Sequence, residues 1–458
     1  MLHRLCLVSA LALAATPALA QDSEEPWTLQ EAIGDPDNLQ VSGSARVRYE
    51  ALGNQFRPGL DRNDDLVTMR FTLAAQYDAG PVKIGAELWD ARAYFGDEGS
   101  SVGTGEVNAL ELIQAYVGVD LVHPLGDGSE AELIAGRFTM DLGSRRLVGR
   151  SNFGNTTNAF TGVKLDAETA NGAKLAAFYT MPQQKLPSDK DAILGNRVKW
   201  DREGSDLQFW GLFAGIPKAL GGVDLDVYLY GLREKDRPDL STRNRLLYTP
   251  GFRIYRAPAK GAVDFELEYA HQFGRIDDGT AADAPRLDVS AHFVHAGLGY
   301  RFDRAWQPRI ALEWDMATGN DDKPGYGRFD GLFGPRTIDL GPTGIYGPLG
   351  RNNINAPGLR FELKPYDRLE SYVAYKALFL ESASDSFGNT GVRDPSGLSG
   401  KFAGHQLDTR IRYWLSKNFL RLETGGAVLF DGSFLRDAPH ANSTGDTVYG
   451  YVDLTATF

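Results

Sequence analysis

Apolar and polar residues alternate along most of this chain, in segments of about ten residues that are separated by turns. Successive side chains of a β-strand point to opposite faces, so a period of two predicts strands with one apolar and one polar face. In residues 263–269, the apolar positions are Val263, Phe265, Leu267 and Tyr269. The positions between them are acidic. This pattern suits a strand between lipid and water and gives a helix no apolar face.

The same alternation recurs along the chain, for example in residues 41–50 and 67–78. Counting such segments predicts an all-β fold, a transmembrane antiparallel β-barrel of about 18 strands. An even number of strands is expected when both termini lie on the periplasmic side. The pattern is weakest in residues 104–121 and 244–260, where apolar residues crowd adjacent positions or a proline interrupts.

The connections between strands are uneven in length. Barrels have short periplasmic turns and long extracellular loops, so long connections should occur at alternate positions. Residues 318–356 are too long for an ordinary loop, and we expect them to fold over or into the lumen. The long polar connections are 96–107, 183–205, 233–247, 274–287, 318–356 and 381–404.

The two ends of the chain predict export to the outer membrane of a Gram-negative bacterium. Residues 1–20 have a basic start, a short apolar run and small residues before Gln21, which is typical of a signal peptide. The single cysteine, Cys6, lies within them, so a disulfide framework is excluded. Residues 21–38 are expected to be an N-terminal periplasmic segment, and 39–458 the barrel.

The last strand resembles the signal by which the outer-membrane assembly machinery recognises its substrates. Its apolar positions have a strict period of two and end at Phe458. We therefore expect that machinery and outer-membrane lipid to be partners of this chain. No stretch after residue 20 approaches the roughly 18 apolar residues that a membrane helix needs.

The charge balance argues against nucleic acid as a partner. The sequence has 48 basic and 60 acidic residues, a net charge of −12, and loss of Arg4 with the signal peptide would leave about −13. Inside a wide barrel, however, local charge matters more than the total. A lumen of this size cannot be packed with apolar side chains, so we expect polar residues to line it.

Several arginines fall on the polar faces. Carboxylates such as Glu87, Glu266 and Glu362 could neutralise about half of them. A surplus would create a positive field, and guanidinium groups bind carboxylates through a two-point fork while remaining weakly hydrated. The arginines on polar faces are Arg46, Arg48, Arg70, Arg137, Arg253, Arg301, Arg309, Arg360, Arg410, Arg412 and Arg421.

Residues 136–153 read GRFTMDLGSRRLVGRSNF and residues 158–165 read NAFTGVKL. This segment resembles the alginate-export family of outer-membrane porins, which carry a G-R-x(5)-G-x-R-R/L strand and loop before an F-D/T-G-V strand. Supporting stretches are ATGNDD at 317–322 with GRFDGLF at 327–333, and HQLD at 405–408 with GGAVLFDGSFL at 425–435.

The resemblance implies a passive outer-membrane channel for an anionic, alginate-like polysaccharide or oligosaccharide, with an arginine-lined pore and no cofactor. Gln406 replaces an acidic residue of the family, and an aspartate expected near Thr161 is absent, so a porin for other small solutes or for uptake stays open. The matching positions for substrate binding and pore lining are Arg48, Arg70, Arg137, Asp141, Arg145, Arg146, Arg150, Arg360, Arg410 and Arg412.

Two other kinds of site are disfavoured. An outer-membrane lipid hydrolase or protease would need a catalytic constellation, but the histidines are scattered, and His292 and His295 fall on opposite faces of one strand. Barrels of about ten or twelve strands, usual for enzymes, also leave little lumen. A calcium ion could bind Asn320, Asp321 and Asp322, although a solvated turn is the favoured interpretation.

Overall fold

The computed structural model describes residues 27–321, 324–442 and 445–458. The expected signal peptide, residues 1–20, lies outside the described residues. The structure has eighteen strands. They are β1 (Leu39–Gly53), β2 (Asp64–Asp78), β3 (Val82–Tyr94), β4 (Asn108–Val122), β5 (Glu130–Phe138), β6 (Phe160–Glu168), β7 (Lys174–Pro182), β8 (Leu207–Ile216), β9 (Asp224–Glu234), β10 (Leu246–Arg256), β11 (Ala262–Asp277), β12 (Arg286–Arg301), β13 (Arg309–Ala317), β14 (Ile354–Tyr366), β15 (Leu369–Phe379), β16 (Phe402–Ser416), β17 (Leu420–Asp431) and β18 (Thr447–Thr457).

The strands form one closed antiparallel ring. Each strand pairs with its neighbour in the chain, and β1 pairs with β18, from Ser44 opposite Thr457 to Gly53 opposite Val448. Closure leaves no edge strand with unpaired backbone groups. The all-β barrel and its strand number are therefore confirmed, and the two segments with the weakest alternation form β4 and β10.

Alternation decides which side chains face outward. On β2 the apolar Phe71 and Leu73 are 50% and 48% exposed on the outer surface, which suits lipid. On β1 the interleaved Arg46 and Arg48 are buried inside the ring. The polar interior and apolar exterior follow directly from the period of two.

Helices contribute little to this fold. The described residues contain α1 (Leu29–Ala32), α2 (Lys190–Leu194), α3 (Ser433–Asp437) and one 3₁₀ turn (Arg336–Ile338). None of these helices has the length and apolar character needed to cross a membrane.

Short turns lie at one end of the barrel, the turn end, and long connections at the other, the loop end. We call residues 139–159 the first inner loop and residues 318–353 the second inner loop. Their described parts fold into the lumen and pack on each other, and the Phe333 N–H donates to Leu147 O (2.9 Å). Phe333 of the second inner loop also packs on Phe160 and Phe209, with ring centroids 5.2 and 4.8 Å away.

Near the loop end, polar side chains are not the only groups inside the ring. The inner loops bring apolar side chains inside the ring, where a continuous apolar cluster forms with wall residues of β5 to β17. Burial of such surface contributes about 25 cal/mol per Å² and can hold the loops inside the barrel.

Candidate functional site

A cavity of about 630 Å³ opens inside the barrel towards the turn end, and we call it the arginine cavity. The walls come from β1 to β3, from β15 to β18 and from both inner loops. Two glutamates, Glu87 and Glu423, also line it, which leaves a formal excess of five positive charges. The seven arginines that line it are Arg48, Arg70, Arg145, Arg150, Arg410, Arg412 and Arg421.

Neighbouring strands concentrate this charge. Arg46 of β1 stands directly opposite Arg70 of β2, an arrangement of like charges that destabilises a sheet unless other groups compensate. The first inner loop supplies that compensation with neutral acceptors. Arg46 donates to the carbonyl oxygens of Phe153 (2.9 Å) and Gly154 (3.0 Å), and Arg70 donates to that of Gly154 (2.8 Å).

Three of the cavity arginines keep unmet hydrogen-bonding capacity. The Nε–H groups of Arg70, Arg410 and Arg421 are buried and have no partner among the described residues. Buried donors without acceptors cost about 1–3 kcal/mol each. The fold therefore tolerates an arrangement that favours an added acceptor, such as a carboxylate.

Two other arginines of the cavity, Arg48 and Arg412, are partly neutralised. Arg48 forms an ion pair with Asp453 (2.9 Å) and lies over the Phe153 ring at 3.9 Å. Arg412 pairs with both Glu370 and Glu423 at 2.7 Å. These contacts fix the guanidinium groups in place without removing the positive surplus.

The second inner loop crosses the lumen and is fastened on both sides. On one side the Asp339 carboxylate accepts from Arg146 (2.7 Å) and Arg351 (2.7 Å). Arg146 also binds Glu268 of β11 (2.8 Å), so this side is tied to the wall. Burial raises the pKa of Asp339, but Arg146 and its cationic neighbours outweigh burial and hold that pKa well below its usual range.

On the far side the loop meets β1 and β16. The backbone N–H of Ile345 donates to Glu50 Oε2 (3.1 Å), and the Tyr346 hydroxyl donates to Gln406 Oε1 (2.8 Å). The loop expected to fold over or into the lumen thus lies inside it, bridging opposite walls. It narrows the passage between the two ends of the barrel.

Six of the ten predicted site residues line the arginine cavity. They are Arg48, Arg70, Arg145, Arg150, Arg410 and Arg412.

The other four lie elsewhere. Arg137 pairs with Glu111 (2.7 Å) and Glu203 (2.9 Å) and shares the parity of Leu133, which is exposed on the outer surface. Asp141 accepts from the Arg150 backbone N–H (2.6 Å) and borders a separate cavity beside β3 to β8.

Arg146 and Arg360 are neutralised. Arg146 is 4% exposed and bound to Glu266, Glu268 and Asp339. Arg360 pairs with Glu362 at 2.7 Å. Arg421 lines the arginine cavity but was not among the positions that the family motifs indicated. The alternation of polar and apolar residues did place it on a polar face.

One group of potential metal ligands occurs among the described residues. Ligand atoms of His295, Asp315 and Asp339 lie within 4.8 Å of one another. However, Lys376 binds Asp315 at 2.8 Å, and two arginines bind Asp339. These cations already neutralise the carboxylates, so the cluster is structural. As expected, His295 is buried inside whereas His292 lies on the other face.

The three residues for which calcium was the less favoured interpretation are only partly described. Asp322 lies outside the described residues. The Asn320 side chain accepts from the Gly327 backbone N–H (3.0 Å), which organises the turn.

Three solved structures of Pseudomonas aeruginosa proteins share this fold at low sequence identity. OpdO has 14% identity and a TM-score of 0.56, covering 92% of this chain and 97% of that chain. OccK2 (OpdF), solved in complex with glucuronate, has 12% identity and a TM-score of 0.56, covering 92% and 98%. OccD3 (OpdP) has 14% identity and a TM-score of 0.55, covering 92% and 91%.

No curated protein sequence matches the chain. The family model described as "Alginate export" matches residues 37–448, which span nearly the whole barrel. With a closed barrel of eighteen strands and this match, the chain belongs to the alginate export family of outer-membrane porins.

Proposed function

We propose that the protein is a passive outer-membrane channel for an anionic polysaccharide or oligosaccharide of the alginate type. The observation that carries this proposal is the arginine cavity, where seven arginines face two glutamates. A field of one sign inside a low-dielectric wall raises the local concentration of oppositely charged solutes. Membership of an export family indicates a channel rather than an enzyme.

Arginine suits transport of a chain of carboxylates. Guanidinium groups bind carboxylates in a fork, and their weak hydration lets each contact form and break quickly. Since the cavity offers several such groups side by side, an acidic saccharide could exchange one for the next. Conduction requires binding that is strong enough for entry and weak enough for release.

A uronate is the substrate class that we favour. Alginate is a polyuronate, and the glucuronate bound by OccK2 is a single uronate unit. The remaining family positions, Arg137, Arg146, Arg360 and Asp141, would then hold the wall and the inner loops in place. No cofactor enters this mechanism.

The orientation follows from the proposed location. Both ends of the barrel domain lie at the turn end, which would face the periplasm, with the loop end outside the cell. Residues 21–38 would then be periplasmic. The Phe458 strand would present the terminal signal to the assembly machinery in the surrounding lipid.

A second candidate function is passage of small uronates, in either direction. The second inner loop narrows the lumen, and a cavity of about 630 Å³ is in the range of pockets that hold small molecules. Such a channel would take single sugars or short oligomers instead of a polymer.

The test is single-channel recording in a planar bilayer. We expect anion preference from the reversal potential in a salt gradient, and blockade by polymannuronate but not by a neutral polymer of similar length. The double variant Arg70→Gln, Arg421→Gln should lower the anion-to-cation permeability ratio about three-fold or more. Arg275→Gln, which removes one positive charge from a side chain that is 66% exposed outside the cavity, controls for loss of charge elsewhere on the protein.

Each result separates the candidates. Blockade by glucuronate and short oligomers, without blockade by the polymer, would favour the small-uronate channel. Cation preference in the wild-type protein, unchanged in the double variant, would refute the arginine cavity as the selective element.

A further inference from the structure

A second cavity, of about 620 Å³, lies at the loop end between β9 to β12 and the second inner loop, and we call it the outer cavity. Beside aliphatic side chains and the carboxylates Glu234 and Asp330, its lining includes arginines, aromatic rings and side-chain amides. These are the groups that hold the carboxylate, the ring face and the hydroxyls of an acidic sugar.

We propose that the outer cavity is a separate binding subsite for the acidic sugar, which recognises individual uronate units before or after the arginine cavity. Binding at this subsite rests on its own residues. Its place along a transport path rests on the proposed function.

Arg243 and Tyr326 form the centre of the proposed subsite. Arg243 donates to the Tyr326 hydroxyl (3.0 Å), and its guanidinium carbon lies 4.6 Å from the centroid of that ring. The Arg243 guanidinium group is thus held beside the face of the Tyr326 ring. A sugar ring that packs on Tyr326 would bring its carboxylate within reach of Arg243.

Arg336 supplies a second cationic group. It donates to the carbonyl oxygens of Gly347 (2.6 Å) and Leu349 (3.3 Å). Among the described residues, neither Arg243 nor Arg336 forms a salt bridge. By contrast, Arg245 in the same cavity is neutralised by Glu234 (2.7 Å) and Asp330 (2.6 Å).

An amide pair completes the lining. Asn352 donates from Nδ2 to Asn389 Oδ1 (2.8 Å). The Oδ1 atom of Asn352 has no hydrogen-bond partner in the described part of the chain. A sugar hydroxyl can donate to such an acceptor, whereas a simple inorganic anion cannot.

The two cavities lie on opposite sides of one segment of the second inner loop. Gly334 and Arg336 line the outer cavity, whereas Pro335, Thr337 and Ile338 line the arginine cavity. This segment therefore forms part of the partition between the two subsites. The two subsites should be reached from opposite ends of the barrel.

Blockade of the full-length mature channel, with sodium glucuronate added to one side at a time, tests the proposal. Glucose at the same concentration is the neutral control. Insertion direction is read from Leu398→Cys, because Leu398 is 89% exposed at the loop end and a membrane-impermeant thiol reagent reaches it from that side only.

We expect Arg243→Gln and Tyr326→Ala each to weaken blockade from the loop end about five-fold, with little change from the turn end. Arg421→Gln should weaken blockade from the turn end, with little change in blockade from the loop end. Arg275→Gln is the charge-matched control at the loop end, and the shift in electrophoretic mobility on heating confirms that every variant is folded.

The outcomes are distinguishable. Loop-end blockade that is unchanged in both outer-cavity variants would overturn the subsite, and so would blockade by glucose equal to that by glucuronate. If the channel shows no anion preference but the loop-end blockade still depends on Arg243 and Tyr326, the subsite stands and the proposed function fails.

Discussion

Two walls of the same lumen use the same residue types in different ways. The arginine wall is formed by Arg48, Arg70, Arg410, Arg412 and Arg421, where cations outnumber carboxylates. The balanced wall is formed by the inward cations of β10 and β13 to β15 with their partners. Its ion pairs are Arg253–Asp226 (3.1 Å), Arg309–Asp264 (2.6 Å), Arg360–Glu362 (2.7 Å) and Lys376–Asp315 (2.8 Å).

The difference shows that an arginine can point into the lumen without adding net positive charge to the pore. On the balanced wall each cation meets a carboxylate on its own strand, on the next strand or two strands away, so the wall is rigid and close to neutral. On the arginine wall several donors face backbone carbonyls or no described partner. Stability should depend on the first wall and selectivity on the second.

The largest expected effect is on stability. Arg146 of the first inner loop is fastened to the balanced wall, and Arg146→Ala would leave the buried Glu268 and Asp339 and the partly buried Glu266 without their common partner. Removing one member of a buried ion pair costs about 3–5 kcal/mol, whereas Arg421→Ala should change the unfolding free energy by less than about 1 kcal/mol. Urea unfolding in detergent, followed by electrophoretic mobility, measures both. Equal losses would abolish the distinction between the walls.

The next effect concerns the loop that joins the walls. Asp339→Asn keeps the shape of the side chain but weakens its contacts with Arg146 and Arg351. We expect single-channel conductance to rise about two-fold, with more frequent current fluctuations, because the second inner loop is released from one wall.

The pH dependence sharpens this prediction. Because the Asp339 pKa is held well below its usual range, the stabilising contact is lost only as pH falls through that low value. This contact should therefore stay intact from pH 8 to pH 5 in the wild-type channel.

The matched control for Asp339→Asn is Asp236→Asn, in the loop 235–245. If Asp236→Asn raises the conductance as much as Asp339→Asn does, the role of Asp339 in fastening the second inner loop is contradicted.

The smallest expected effect separates charge from geometry on the arginine wall. Arg70→Lys with Arg421→Lys keeps both positive charges but loses the planar fork. We expect the reversal potential to stay unchanged and polymannuronate blockade to weaken about three-fold. If blockade is as strong as in the wild-type channel, the positive field alone holds the saccharide.

The sequence predicted most of the barrel because water inside and lipid outside impose a period of two on every strand. That rule identified the strands, their number and the inward side of Arg46, Arg48 and Arg70. It extended even to β4 and β10, where the pattern is weakest. The rule uses only local spacing, so it works without knowledge of the fold.

Alternation could not predict which arginines are neutralised by carboxylates. Arg146 and Glu266 are 120 positions apart, and only the inward folding of two loops brings them together. The apolar cluster around Phe333 depends on the same folding. The outer cavity was missed for this reason too, since Arg243 and Tyr326 lie 83 positions apart, on separate loops.

The pairing of β1 with β18 makes completion of the barrel depend on the final residues of the chain. Ten pairs of residues join these strands, and the backbones of Gly43 and Phe458 exchange two hydrogen bonds, of 2.7 and 3.0 Å. A chain cut short before β18 would leave two open edges that can pair with other chains. Ring closure thus requires the chain to reach its last strand, because a shorter copy keeps the backbone groups of two strands unpaired.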